Sequence, residues 1–190
     1  MPMAGESPRV LVVGGGLAGM LAVELLERRA GLQAAVWAAA ESRRPAASQV
    51  AAGMFNPVSF RRLLPVWEAD RHMALAEEVY RGLENRLGIP LWHERPLFKR
   101  FPNQDYAILW AERVDSDHPV SKWIESLAWR STGDALQAPF GGGWVPKAGY
   151  VDLQNLIARF REALHASGRW ETREWFLADG LPSGFDLVLD

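Results

Sequence analysis

The chain has 190 residues, of which 48% are hydrophobic and 23% are charged, and its formal net charge is -2. This composition excludes a disordered chain and allows one or two globular domains with a real core. The small net charge gives no general attraction to nucleic acid, so we expect no nucleic-acid partner. The sequence has no apolar run long enough to span a bilayer and no signal-peptide pattern. We therefore expect a cytoplasmic protein with no membrane contact.

Cysteine is absent from the sequence, which excludes disulfides, cysteine-ligated zinc, thiol nucleophiles and flavin attachment through sulfur. Asp115, Asp117 and His118 form a cluster with metal-binding side chains. However, no matching ligands recur nearby and Pro119 favours a turn. We therefore predict no metal site.

The first element is an apolar run at residues 10–13 that leads into closely spaced glycines and then into a helical pattern. Gly14, Gly16 and Gly19 match the dinucleotide-binding fingerprint. In that motif the first glycine allows a tight turn, the second lets the backbone approach a pyrophosphate, and the third lets the helix pack against the strand. The phosphates bind free backbone N–H groups at the start of the helix. The pattern thus predicts a strand, a phosphate-binding turn and a helix.

The second predicted strand, at residues 32–38, follows Gly31, where the first helix is expected to end. Ala38 occupies the position where a carboxylate usually binds the ribose hydroxyls, and the nearest acid is Glu41. Either Glu41 reaches back from the loop, or backbone and water hold the ribose. The missing carboxylate argues against NAD more than against FAD, because FAD can also be anchored by its flavin end.

A glycine- and alanine-rich stretch follows at residues 48–57, with the sequence Ser-Gln-Val-Ala-Ala-Gly-Met-Phe-Asn-Pro. Its composition alone fits equally well a backbone segment beside a flat ligand and an ordinary short helix at 48–52. Together with the fingerprint, it resembles the D-amino-acid oxidase-like family of FAD-dependent oxidoreductases, which includes glycine and sarcosine oxidases. In that family the stretch runs along the pyrophosphate and ends beside the isoalloxazine ring. The resemblance implies FAD as the cofactor and these candidate contacts, the last of them beside the ring: Gly14, Gly16, Leu17, Ala18, Gly19, Ser48, Ala51, Ala52, Gly53 and Met54.

Hydrophobic periodicity and turn residues predict the elements in the rest of the chain. Arg61 and Arg62 are candidate ligands for a substrate carboxylate, although a solvated basic turn explains them as well. The predicted elements are a long helix that Pro65 begins and Gly88 ends, with Glu84 on its solvated face, a strand at 91–101, helices at 105–113 and 120–130, a turn at 141–143, a helix after Asp152, and strands at 170–177 and 185–190.

The resemblance implies an α/β fold, in which a Rossmann-like FAD-binding domain carries an inserted, incomplete α+β substrate-binding domain. We predict the FAD-binding domain at residues 1–88 and 149–190 and the partial substrate-binding domain at residues 89–148. The Gly-x-Val-Asp sequence at 149–152 supports this division, because in the family such a turn marks the return from the substrate sheet. Family members continue past the point that matches Asp190. We therefore expect a truncated chain, a fragment or one part of a split protein, whose missing half a second polypeptide could supply.

The function implied by the resemblance is oxidation of a small amine or amino acid by hydride transfer to flavin. In such enzymes the protein mainly orients the substrate and tunes the flavin, so no catalytic residue is predicted. Two alternatives stay open: an FAD-dependent oxidoreductase that modifies a tRNA base, and a non-catalytic flavin-binding or interaction protein. Because the substrate sheet is expected to be incomplete, we do not expect this chain by itself to oxidise an amine.

Overall fold

A computed structural model describes residues 7–40, 46–126 and 137–190. Its strands, in chain order, are β1 (Arg9–Val13), β2 (Gln33–Ala38), β3 (Met54–Phe55), β4 (Val58–Ser59), β5 (Leu64–Pro65), β6 (Trp92–Glu94), β7 (Leu97–Arg100), β8 (Gly142–Val145), β9 (Gly149–Val151), β10 (Trp170–Thr172) and β11 (Leu187–Leu189). Its α-helices are α1 (Leu17–Ala30), α2 (Ala47–Val50), α3 (Ala69–Leu87), α4 (Gln104–Val114) and α5 (Leu153–Ala166). Short 3-10 turns occur at Ser121–Trp123 and Leu177–Asp179. Glu41 lies outside the described residues.

The chain divides into two compact units. The first unit consists of Met1–Ala51 and Leu153–Asp190, and the second consists of Ala52–Asp152. Along the sequence, the second unit is therefore inserted into the first. The predicted domain boundaries differ from these unit boundaries mainly in the assignment of residues 52–88. The division into an FAD-binding and a substrate-binding domain stays a prediction.

The first unit contains a four-stranded sheet with the spatial order β10-β2-β1-β11. All three strand pairs in this sheet are parallel. If only these four strands are numbered along the chain, the order becomes 3-2-1-4, which is how the strand order of a Rossmann fold begins. The centre of β1 is almost fully buried, as a strand covered on both faces requires. The predicted α/β class with a parallel sheet is confirmed.

The helices of the first unit follow the predicted pattern. Helix α1 ends at Gly31, which has φ +63° and donates its N–H to the Leu26 carbonyl. Helix α5 begins directly after Asp152 and ends before Gly168, which also has positive φ. The apolar stripe of α5 is buried as the periodicity predicts, at Leu153, Leu156, Ile157, Phe160 and Leu164. Within the described ranges, none of the helices is long and apolar enough to cross a membrane.

The second unit combines antiparallel sheets with α3 and α4. Strands β3, β9 and β6 form a three-stranded sheet in that order, and β4 pairs with β5 as β7 pairs with β8. A buried cluster gathers residues from loops, strands and α4, among them Leu63, Trp110, Trp123 and Val145. The strands are short and, apart from β4 and β5, their partners are distant in sequence, so this unit depends on long-range packing more than on local pattern.

Helix α3 begins later than the sequence predicts. Pro65 does not start the helix, because it lies in β5 and pairs with Val58. The next residue, Val66, donates its N–H to the Pro57 carbonyl instead of continuing a helix. Glu68 then adopts φ +47°, in the left-handed region, and α3 starts at Ala69.

Two further predictions in the second unit are wrong. The strand predicted at 91–101 is two strands, because Pro96 lacks an N–H and separates β6, which pairs with β9, from β7, which pairs with β8. In the described part of the helix predicted at 120–130, residues 120–126 contain only the 3-10 turn at Ser121–Trp123. After this turn the chain becomes extended, and Glu125 forms a bridge to Trp144, while residues 127–130 lie outside the described ranges.

The glycines at 141–143 do not form a simple turn. Gly142 and Gly143 lie in β8, where each of them makes room for an aromatic ring. A Cβ on Gly142 would lie 2.1 Å from the Phe98 ring, and a Cβ on Gly143 would lie 2.2 Å from the Trp110 indole. At the other end of the chain, the strands predicted at 170–177 and 185–190 are shorter than predicted, since β10 and β11 have three residues each.

Glu84 does not belong to the solvated face of α3. Its Oε1 accepts the backbone N–H of Leu91 at 2.7 Å and that of Trp92 at 2.9 Å, and its side chain is only 16% exposed. Burial alone would raise the pKa of this carboxyl, but the two backbone donors and Arg81 together hold the pKa of Glu84 below its ordinary value of 4.5. The carboxylate thereby fixes the chain as it turns from α3 into β6.

Replacing Glu84 by Gln should lower the free energy of unfolding at pH 7 by about 2 kcal/mol, since hydrogen bonds to a charged acceptor are lost. Because the folded pKa is lowered, the contribution of Glu84 is present above the unfolded pKa and disappears as the pH falls through the folded pKa. Urea denaturation at neutral and acidic pH should show the two proteins converging in stability on acidification. Glu77→Gln is the matched control on the same helix, because Glu77 is half-exposed and makes only a 3.9 Å ion pair. Identical pH profiles for wild type and Glu84→Gln would contradict this role.

Candidate functional site

The turn between β1 and α1 is built by the first glycine of the fingerprint. Gly14 has φ +104°, a conformation that a residue with a side chain rarely adopts. Its N–H donates to the Trp37 carbonyl at 2.8 Å. The turn is therefore tied to the carboxyl end of the neighbouring strand β2, and the chain can enter α1 at Leu17.

Gly19 allows α1 to approach this turn closely. A Cβ on Gly19 would lie 2.0 Å from the Gly14 carbonyl oxygen and 3.4 Å from a methyl group of Val12. Any side chain at position 19 would thus displace the helix or the turn. This is the helix-to-strand packing that the third glycine is predicted to allow.

Gly16 is different, because the surrounding protein does not require a glycine there. It has φ -84° and ψ -175°, which are ordinary values for any residue, and a Cβ would meet only the Ser48 hydroxyl at 3.5 Å. Gly16 caps α1 without a side-chain hydrogen bond, and the first turn of the helix carries no acidic residue. The first N–H groups of a helix have no intrahelical acceptor and attract anions. The space beside Gly16 is therefore suited to a phosphate.

Ser48 is held beside this space by two helices of the first unit. It lies on the four-residue helix α2, whose Gln49 side chain accepts the Ala46 N–H at 2.8 Å. Gln154 of α5 donates its side-chain N–H to the Gln49 carbonyl at 3.5 Å. After α2 the chain becomes extended and exposed at Ala51. The short helix considered at 48–52 is present as Ala47–Val50, and an open backbone segment follows it. The placement of this segment beside a flat ligand stays a prediction.

A cavity of about 400 Å³ lies at the carboxyl ends of β2 and β10 and is lined by Trp37 and Arg173, among others. The Arg173 guanidinium lies 4.3 Å from the centre of the Trp37 ring. The backbone N–H of Arg173 donates to the Ala38 carbonyl at 2.8 Å. Ala38 does end β2, so the position of the usual ribose-binding carboxylate has no acceptor side chain. Sequence reasoning did not identify Trp37 or Arg173 as candidates. The sequence feature that could have identified this place is the tryptophan directly before Ala38.

In the second unit, Ala52, Gly53 and Met54 lead into the three-stranded sheet. Gly53 has φ +66°, and its carbonyl accepts the Val151 N–H at 2.9 Å. Met54 pairs with Tyr150 on β9, and 65% of its surface is exposed.

Two aromatic side chains that the sequence did not suggest lie on the same face of the sheet as Met54. Tyr150 stands opposite His93 of β6, and their rings stack at 4.7 Å. Because directly opposed residues in a sheet point to the same side, Met54, Tyr150 and His93 form a row across the three strands.

Arg61 and Arg62 are exposed in the turn between β4 and β5. In the described part of the chain, neither makes a hydrogen bond or an ion pair, so both guanidinium groups are available to an anion. Their role toward a substrate stays a prediction. The same described residues contain no cluster of three His, Cys, Asp or Glu side chains that could hold a metal ion.

The parallel sheet and the glycine turn together define a Rossmann-type nucleotide-binding protein. A protein-family model described as "FAD dependent oxidoreductase" matches residues 9–171, which is most of the chain. The chain therefore belongs to this family of FAD-dependent oxidoreductases, and FAD is the family's cofactor. The sequence-based recognition of the family and of its cofactor is confirmed.

Two solved structures show the same fold. The chain aligns with glycine oxidase from Bacillus cereus at 20% identity and a TM-score of 0.59, covering 90% of this chain and 49% of that one. It aligns with fructosamine oxidase from Aspergillus fumigatus, a deglycating enzyme, at 19% identity and a TM-score of 0.52, covering 86% and 40%. The chain thus spans about half the length of these structures or less. Neither match supports the alternatives of tRNA-base modification or a non-catalytic role.

The residues at the β1–α1 turn fit FAD. A pyrophosphate needs N–H donors without partners, no side chain between it and the backbone, and no competing carboxylate. The start of α1 provides the donors, Gly16 leaves the backbone uncovered although no packing requires it, and the first turn has no acid.

Alanine substitutions separate the roles of Gly16 and Gly19. In a helix, alanine is favoured over glycine by about 1 kcal/mol, so Gly19→Ala would stabilise α1 if nothing opposed its methyl group. The 2.0 Å approach to the Gly14 carbonyl predicts instead a loss of about 2 kcal/mol. Gly16→Ala should lose less than about 1 kcal/mol, as expected for a change at a helix cap. Thermal unfolding of both variants measures the difference, and a more stable Gly19→Ala protein would refute the close approach.

Proposed function

We propose that this chain binds FAD, with the pyrophosphate at the start of α1. The observation that carries the proposal is the uncovered backbone at Gly16, beside N–H groups that have no side-chain cap. Gly14 and Gly19 shape the turn, Leu17 and Ala18 offer their N–H groups, and Ser48 offers a hydroxyl from the opposite side. This is the arrangement that the second glycine of the fingerprint is expected to serve.

The segment that follows Ser48 is proposed to continue along the cofactor. Ala51 and Ala52 have small exposed side chains, so a flat ligand can approach their backbone. Gly53 turns the chain, and Met54 then presents an exposed thioether beside Tyr150, which suits contact with an aromatic ring system. We assign Met54 to the neighbourhood of the flavin ring on this basis.

The adenosine end of FAD is proposed to lie at the carboxyl edge of β2 and β10. The cavity there has an indole wall at Trp37, suited to a flat base. Ala38 offers no acceptor for the ribose hydroxyls, whereas Arg173 offers donors to their oxygen atoms. Position 38 itself therefore lacks the usual acceptor, while Glu174 and Asp179 also line the cavity. The missing carboxylate at position 38 favours FAD over NAD, because FAD has further anchoring contacts along its flavin half.

Gly16→Val should strongly weaken FAD binding while the protein stays folded. A valine side chain would fill the space that the pyrophosphate needs, and we expect an affinity loss of about a hundredfold, or about 2.8 kcal/mol. Calorimetric titration with FAD, and separately with NAD, measures this directly, and circular dichroism checks the fold. Ala30→Val is the matched control, because Ala30 is exposed at the far end of the same helix.

The outcome is informative in each direction. Unchanged FAD affinity in a folded Gly16→Val protein would refute the proposed cradle. Tight binding of NAD without binding of FAD by the unchanged chain would refute the choice of cofactor.

The proposed reaction is oxidation of a small amine or amino acid. When bound, FAD supplies the acceptor for a hydride from the carbon that carries the amine nitrogen. That carbon's C–H bond breaks and the nitrogen lone pair forms a C=N bond, so the substrate amine must be neutral. The chain's own part is to hold the substrate in place, for which the exposed guanidinium groups of Arg61 and Arg62 are our candidate ligands of a substrate carboxylate.

Arg61→Gln and Arg62→Gln test this assignment through a comparison of substrates. Loss of a charge-assisted hydrogen bond to a carboxylate should raise the Kd for an amino acid about tenfold. The Kd for an amine of similar size without a carboxylate should not change. Because this chain by itself is not expected to oxidise an amine, the assay is the change in absorbance of the bound flavin on titration with a panel of small amines and amino acids. Equal changes for both classes of substrate would contradict carboxylate recognition by these residues.

A further inference from the structure

The three-stranded sheet of the second unit has a covered face, formed by Phe55, Trp92 and Val151. Phe55 stacks on Trp92 with ring centres 3.9 Å apart, and Tyr80 of α3 stacks on the same indole at 6.0 Å. Trp92 and Val151 are each 5% exposed. An antiparallel sheet commonly packs one face on the core and leaves the other face uncovered. The core of this sheet therefore lies on the α3 side.

The opposite face, which we call the open face, carries the row of Met54, Tyr150 and His93. Residues on the water side of an antiparallel sheet are normally polar or charged. Here Met54 is 65% exposed, and Tyr150 is 37% exposed although it lies on the middle strand between two neighbours. A thioether and two rings in one contiguous row differ from a solvated face. Such exposed apolar rows mark binding surfaces.

The polar atoms of the row are available to a ligand. Among the described residues, neither the Tyr150 hydroxyl nor a ring nitrogen of His93 has a hydrogen-bond partner. The two rings stack at 4.7 Å with 20° between their planes, so each side chain restricts the other. A tyrosine hydroxyl and a neutral imidazole can each donate and accept a hydrogen bond. The row thus has an apolar end at Met54 and a hydrogen-bonding end at His93.

The row itself carries no carboxylate and no guanidinium group. Glu94 follows His93 in β6, so its side chain points to the covered side, where it lies 4.0 Å from Arg81 of α3. Arg95 comes next and donates to the Glu94 carbonyl. A neutral ring with polar edge atoms therefore suits the row better than a small ion does.

We propose that Tyr150 and His93 bind the flavin ring together with Met54. The inference rests on the proposed function, in which the segment after Ser48 follows the cofactor as far as Met54. The row crosses two strand spacings, about 10 Å, which is comparable to three fused six-membered rings. The flavin ring system has an apolar dimethylbenzene end and a pyrimidine end with an N–H donor and carbonyl acceptors. The polarities match when the dimethylbenzene end lies at Met54 and the pyrimidine end lies at His93.

ADP and FAD separate this inference from the pyrophosphate site. Both contain adenosine and a pyrophosphate, but only FAD carries the flavin ring. Tyr150→Phe removes one hydroxyl and should raise the Kd of the full chain for FAD about fivefold, because one hydrogen bond is lost. The Kd for ADP should not change. Calorimetric titration measures both constants, and circular dichroism checks the fold.

Tyr80→Phe is the matched control. It removes the same hydroxyl from a tyrosine that packs against the covered face of the same sheet. Its Kd values for FAD and ADP should stay within about twofold of those of the unchanged chain, less than the effect of one hydrogen bond.

The His93 ring gives a second measurement that needs no change at Tyr150. The chain has four histidines, and the NMR spectrum of a His93→Gln protein identifies the His93 ring resonances by their absence. In the unchanged chain, FAD should shift these resonances saturably. ADP should leave them in place, because it lacks the ring that the row binds.

The outcomes distinguish the two proposals. If neither ADP nor FAD binds the unchanged chain, the proposed function fails and this inference fails with it. If both bind, the inference alone is overturned by an unchanged Kd for FAD in Tyr150→Phe, or by the absence of a His93 shift with FAD. Equal losses of FAD affinity in Tyr150→Phe and Tyr80→Phe would also overturn it, because the effect would then come from the packing of the sheet.

Discussion

The contact between the Gly14 carbonyl and Gly19 sets the geometry of the first unit. Helix α1 can begin directly after β1 only because no Cβ stands between them. The Gly14 N–H then ties the turn to Trp37 at the end of β2, so the start of the helix lies at the carboxyl edge of the parallel sheet. In parallel α/β folds this edge is where ligands bind. The same backbone constraint thus fixes both the packing of α1 and the position of its free N–H groups.

The elements of the first unit could be predicted because their signal is local. Strand β1 is apolar after Arg9, and α5 buries one stripe of residues at helical spacing, so each pattern can be recognised within a short window. The fingerprint glycines are likewise recognisable from their spacing alone. The sequence could not reveal that the fold itself requires glycine at positions 14 and 19, whereas no packing contact requires glycine at position 16. That distinction needs the distances between atoms.

The second unit was harder to predict because its signals are long-range. The N–H groups that bind Glu84 come from the start of β6, and Trp110 of α4 fills the space beside Gly143 of β8. From the sequence alone, a glycine that makes room for an aromatic ring cannot be distinguished from a glycine in a turn. The row of Met54, Tyr150 and His93 is invisible in the sequence for a similar reason, since the three residues come from three separate strands. The effect of Pro96 was missed, although its missing N–H can be recognised from a single residue.

The entry and exit of the second unit are joined to each other. Strand β3, which begins it, pairs with β9, which ends it, and the Gly53 carbonyl accepts the Val151 N–H. Because its two ends meet, the inserted unit constrains the first unit little more than a short loop would. The entropic cost of closing the chain between these ends is the same whatever lies between them. Evolution can therefore lengthen, rebuild or exchange residues 52–152 without reshaping the sheet that precedes and follows them. A single nucleotide-binding scaffold can in this way acquire different specificities.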